Sequence, residues 1–239
     1  MKVSRAMSMW ILAALFLITP LAHADGTTTM EFTGVNGANN GVYYVSPYTG
    51  TMNYGTSSAQ TVVLFCDDIN NEVSIGQVWS ANVTSLATAA SSGDFNNTRY
   101  GNSLVNTGLG SNPYASSAAV LYEKAAWLVT QFGSHPGDYV SLQYALWNLM
   151  SPTSASAGSL GFMGSDGITV EQWLSMAAAG YTNINLANFQ IVTNAGPLGY
   201  TGQVQEFVVP TPEPATILLL LVGIGAMFLY VSRRQQQSA

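Results

Sequence analysis

The chain has 239 residues, a formal net charge of -6 and only 8% charged residues. Four of its six Lys and Arg are Lys2, Arg5, Arg233 and Arg234, so the segment between the ends keeps only Arg99 and Lys124 against eleven acids. Such a balance argues against nucleic acid or anionic lipid as a partner of that segment, and abundant Ser, Thr, Asn and Gly suit a β-rich secreted module better than a cytosolic enzyme.

At the front, Lys2 and Arg5 precede an apolar run from Met9 to Ile18, then Pro20 and the small-residue site Ala22-His23-Ala24. This is the layout of a secretory signal peptide, residues 1–24, cut after Ala24. The run is short for a retained bilayer span. The exported domain then runs over 25–209 and is long enough for one real core. Thr27 to Thr33, Gly41 to Val45, Gln60 to Asp67 and Trp79 to Thr84 are rich in β-branched and aromatic residues and read as strands, with turns at Asn36-Gly37, Asn40-Gly41 and Thr49-Gly50. Ser91 to Asn112 is polar and reads as an exposed loop.

The period then changes. Ala118, Leu121, Tyr122, Ala125, Leu128, Val129 and Phe132 recur at helical spacing, which predicts an amphipathic helix within Pro113 to Phe132. Asp138 is placed to cap a second helix with Val140, Tyr144, Trp147 and Met150 on one side, and Thr169 with Gln172 makes a capping box for a third over Val170 to Ala179. Strands return at Asn188 to Thr193 and Gln203 to Val209. The expected class is α+β: an antiparallel, sandwich- or barrel-like β domain with a helical insertion at about 113–180, flanked by an N-terminal signal helix and a C-terminal transmembrane helix.

The back end carries Pro212-Glu213-Pro214 in a linker at 210–214, an unbroken apolar stretch at 215–231, and a basic tail at 232–239 containing Arg233 and Arg234. The stretch is near the lower limit for a bilayer span, and the arginines would hold the tail in the cytoplasm. These three parts in this order resemble the PEP-CTERM sorting signal. The resemblance implies an exosortase-type transpeptidase as partner, cutting near Pro212 to Pro214. The protein would be anchored transiently in the inner membrane of a Gram-negative-type bacterium, then released to the cell surface or extracellular matrix.

Cys66 is the lone cysteine. Exported proteins usually carry cysteines in pairs, so Cys66 is a buried apolar residue, half of an intermolecular disulfide, or a chemically committed sulfur. Three ordered blocks bear on the choice: Phe65-Cys66, Gln143-Tyr144-Ala145-Leu146-Trp147, and Val204-Gln205-Glu206-Phe207-Val208. They resemble the blocks of bacterial surface-adhesin thioester domains, with Leu142 where that family has Thr, Leu146 where it has Ile or Val, and Asp67 where an apolar residue is usual. The resemblance implies a crosslink between the Cys66 sulfur and the Gln205 side chain, Gln190 being the fallback partner and Gln143 a poorer one. Strand alternation puts Cys66 with Val62 and Leu64, and Gln205 with Phe207 and Val209, so both point to apolar faces. Gln143, Tyr144 and Trp147 would play supporting parts, the two aromatics limiting access of water. The function implied is single-use covalent adhesion to an amine-bearing target, with no turnover, no catalytic residues and no cofactor.

Other chemistries are weaker. His135 is the only histidine outside the signal peptide, and His135-Pro136-Gly137-Asp138 reads as a turn into a helix cap rather than the base of a cysteine hydrolase. Asp67, Asp68, Asn70, Asn71 and Glu72 lack the spacing of a known calcium loop and read as a solvated turn, so no metal is expected. The alternative to adhesion is a non-covalent structural or glycan-binding matrix protein.

Overall fold

The β-branched and aromatic runs form six strands in a computed structural model that describes residues 25–35, 39, 41–101, 112–155, 157–196 and 204–211. The signal peptide with its Ala24 site, Pro212-Glu213-Pro214, the apolar 215–231 and the basic tail lie outside the described residues. The strands are β1 (Gly26–Val35), β2 (Tyr48–Met52), β3 (Gln60–Cys66), β4 (Val78–Ser85), β5 (Phe189–Asn194) and β6 (Phe207–Pro210). They close into a barrel in the order β1-β2-β3-β6-β5-β4, every pairing antiparallel. The domain is therefore α+β, and of the two expected β architectures it is the barrel.

Alternation along the strands creates two cores. Leu64, Cys66, Val192, Phe207 and Val209 belong to one apolar cluster, filled out by Met30, Phe32, Tyr48 and Trp79. Their strand neighbours Phe65, Ile191 and Val208 turn the other way, into a second cluster built with the helices. Those helices are α1 (Leu86–Ser92), α2 (Ala118–Phe132), α3 (Tyr139–Met150) and α4 (Val170–Gly180). α3 belongs to both cores: Leu142, Leu146 and Leu149 face the helical cluster, while Trp147 joins the barrel's own. Among the described residues no helix is long and apolar enough to cross a membrane.

Local chemistry explains the ends. Ser117 Oγ accepts from Val120 N to start α2, and α4 opens on the Thr169–Gln172 capping box read from the sequence. Asp138 differs from expectation. It stands at the N-terminus of α3 but makes no side-chain cap, because its Oδ1 instead accepts from Asp166 N at 3.0 Å.

Three other expectations are corrected. The second strand is not Gly41 to Val45 but Tyr48–Met52, and Thr49-Gly50 lies inside it rather than in a turn. A Cβ on Gly50 would meet Leu64 Cδ1 at 2.8 Å and Glu31 O at 2.9 Å, so this glycine permits a close approach of neighbouring strands. The polar segment after β4 is not simply an exposed loop: it begins within α1, and Phe95, Thr98, Arg99 and Tyr100 are buried. The last strand starts at Phe207, so Gln205 precedes it rather than lying in it.

Candidate functional site

Cys66 is the last residue of β3 and is fully buried. Its backbone is gripped on both sides. Cys66 N donates to Ser46 Oγ at 2.8 Å, and Gln143 Nε2 on α3 donates to Cys66 O at 2.6 Å. Gln143 completes the bracket by accepting from Ser46 N through Oε1 at 3.0 Å. A residue of a helix thus ties the end of β3 to the segment that leads into β2.

β3 pairs with β6 in the register Phe65↔Val208 and Cys66↔Phe207. The contact runs one step further, where Asp67 N donates to Glu206 O at 3.4 Å. Gln205 stands two residues before Phe207, the partner of Cys66, just ahead of the paired strand. The two side chains converge on a single atom: Cys66 Sγ donates to Asp68 O at 3.3 Å, and Gln205 Nε2 reaches the same oxygen at 3.5 Å. Burial raises the Cys66 thiol far above its ordinary range, and the Asp68 charge adds to this; the Trp147 indole beside the sulfur works in the opposite sense. The sulfur is thus held as a thiol.

On the neighbouring positions lies a buried ionic cluster that sequence reasoning missed. Asp67, Asp68 and Asn71 are not a solvated turn but buried residues. Asp68 Oδ2 pairs with Arg99 Nε at 2.8 Å and accepts from Asn71 Nδ2 at 2.9 Å, while Oδ1 accepts from Asn70 N at 3.0 Å. Glu206 accepts from Arg99 N and from the Tyr122 hydroxyl, each at 2.6 Å, and from the Thr193 hydroxyl. Burial raises Glu206, and those donors oppose it. Asp67 is raised well above the carboxylate range by burial first, then by the charges of Glu206 and Asp68. Neither of its oxygens has a hydrogen-bond partner among the described residues. The signals available for this cluster were Arg99, one of only two cations in the domain, and Glu206, an acid inside an apolar block.

The remaining predicted residues are placed as follows. Gln190 is buried on β5 opposite Val209, and its Nε2 is turned to Met52 Sδ at 3.8 Å rather than to Cys66. Trp147 is buried, with the rings of Tyr144 at 5.3 Å and Tyr43 at 5.7 Å both edge-on to it. His135 is engaged elsewhere, its Nδ1 with Ser134 Oγ and Gln131 O and its ring against Trp173 at 5.0 Å. Among the described residues no group of His, Cys, Asp and Glu is arranged to hold a metal ion.

Residues 210–235 match the PEP-CTERM protein-sorting motif. The chain is thus an exported protein that an exosortase processes, anchored at the membrane in transit before release at the surface. No curated protein matches it. A solved structure similar to it is the N-terminal thioester domain of a surface protein from Clostridium perfringens, at 14% identity and a TM-score of 0.32, over 78% of this chain and 99% of that one.

Proposed function

We propose that the exported domain forms an internal thioester between Cys66 and Gln205 and uses it once, to bond covalently to an amine on a surface or matrix target. The observation that carries this reading is the convergence of the buried Cys66 sulfur and the Gln205 amide nitrogen on the Asp68 carbonyl. In the closing step the sulfur attacks the Gln205 amide carbon, an S–C bond forms, the C–N bond breaks, and the thiol proton leaves with the nitrogen as ammonia. In the opening step an incoming amine attacks the same carbon, an amide forms, and its proton passes to the Cys66 sulfur. No turnover follows, so the domain is an adhesin rather than an enzyme.

Intact mass of the mature protein tests this. The expected result is a deficit of one ammonia, abolished in Cys66→Ala and in Gln205→Ala, with methylamine adding at Gln205 in the wild type alone. Full mass in freshly purified wild type would sink the thioester and leave a non-covalent matrix protein.

A further inference from the structure

We propose that the Trp147 indole N–H is the hydrogen-bond donor that receives the charge developing on the Gln205 carbonyl oxygen as the thioester closes and opens. The inference rests on the Cys66–Gln205 reading above and deepens it.

Trp147 follows Gln143 by four residues on α3, so the two side chains share a helix face. Gln143 holds the Cys66 carbonyl at 2.6 Å, and Trp147 packs in the same apolar cluster as Cys66. The indole acts against burial at the sulfur, favouring its ionised form. Its nitrogen is nevertheless buried and, among the described residues, meets no acceptor in hydrogen-bonding geometry. A tryptophan nitrogen can only donate, and leaving a buried donor unpaired is costly. The ring cannot easily turn to find another partner, because Tyr43 and Tyr144 abut it edge-on. An orphan donor fixed beside the nucleophile suits an acceptor that gains charge only during reaction.

Gln205 supplies that acceptor. Its amide nitrogen is turned to Asp68 O, and its carbonyl oxygen becomes the negative atom of the tetrahedral intermediate in both steps. When sulfur attacks, the C=O electron pair moves onto oxygen; when ammonia or the thiol leaves, it returns. A donor fixed in a dry site stabilises that oxygen without reorganising, and losing one such donor slows comparable reactions by about a hundredfold or more.

The test uses the whole mature protein in three forms: wild type, W147F, and a form in which position 147 carries the isosteric benzothiophene analogue, with sulfur in place of the indole N–H. Two rates are read by intact mass: loss of ammonia after refolding, and methylamine addition to the closed form. Both should fall by about a hundredfold in the isostere, with an unchanged circular dichroism spectrum. W147F should fall similarly; if it fails to fold, the isostere decides alone. Wild-type rates in a folded isostere overturn the role of Trp147 and leave the thioester standing. A wild type that never loses ammonia overturns both.

Discussion

Replacing Gln143 with Leu removes the bracket around Cys66 while keeping an apolar side chain in an apolar helix. Two backbone groups then lose their partner inside the protein: Ser46 N–H, now 3.0 Å from Gln143 Oε1, and Cys66 C=O, now 2.6 Å from Gln143 Nε2. Gln143 is fully buried, so water does not replace either bond. At about 1–3 kcal/mol for each orphaned group, the loss is about 2–6 kcal/mol. That is a large part of the roughly 5–15 kcal/mol that holds a typical domain together. With a urea slope of about 2 kcal/mol per molar, the unfolding midpoint should fall by about 1–3 M. The measurement belongs in a Cys66→Ala background, which keeps the backbone carbonyl and removes any crosslink from the comparison. Gln131→Leu is the control, since among the described residues that half-buried side chain reaches Trp127 O and the Thr130 hydroxyl on its own helix, and it should move stability by less than about 0.5 kcal/mol. A Gln143→Leu midpoint within about 0.3 M of its parent would refute the bracket as a source of stability.

Three further outcomes are expected. Gly50→Ala should destabilise the barrel by about 1–3 kcal/mol, because the new methyl meets a neighbouring side chain and the Glu31 carbonyl at under 3 Å; an unchanged melting temperature would refute the close approach. Asp67 is held above its unfolded value, so the folded state keeps a proton that the unfolded state releases, and stability should fall as pH rises from the unfolded pKa through the folded one. Asp67→Asn should raise the melting temperature at pH 8 and shrink the difference between pH 5 and pH 8, both read by thermal melts; a pH profile matching the wild type would exclude Asp67 as its source. Tyr43→Ala strips an exposed ring from the buried Trp147 and, on the proposed reading, should shorten the life of the methylamine-reactive form in water; an unchanged decay would show that Tyr43 does not shield it.

What could be read from the residues depended on how local the cause was. The capping box at Thr169 and the apolar stripe of α2 are satisfied within a few residues, and both elements lie where the sequence puts them. α1 was not anticipated because it buries only Leu86 and Ala89, too few for a period to show. β2 was displaced because Gly50 carries the signal of a turn, whereas its cause is Leu64 and Glu31 on the adjoining strands. The ionic cluster is the extreme case. Asp67 and Asp68 read as solvent-facing, since the arginine and the glutamate that surround them come from positions 99 and 206. The Cys66 and Gln205 blocks were legible because each is a short string with its own pattern, although only the barrel brings the strings together.

That meeting place has a mechanical meaning. Among the described residues β3 and β6 share two register pairs, Phe65↔Val208 and Cys66↔Phe207, while β1 and β4 share six. The seam where the early half of the barrel meets its last strand therefore has few ladder bonds, and the packing of Phe207, the Gln143 bracket and the Glu206 donors must hold it. A bond from Cys66 to Gln205 would close a loop of about 140 residues at this seam, worth about 5 kcal/mol in the chain-entropy treatment of crosslinks. The same bond is the one an amine would break. On the proposed reading, capture of a target and loss of the seam's covalent tie would be one event, and the domain after reaction would rest on the non-covalent contacts around residues 66, 143 and 206. Their burial and dense hydrogen bonding are what such a domain would need to stay folded once attached.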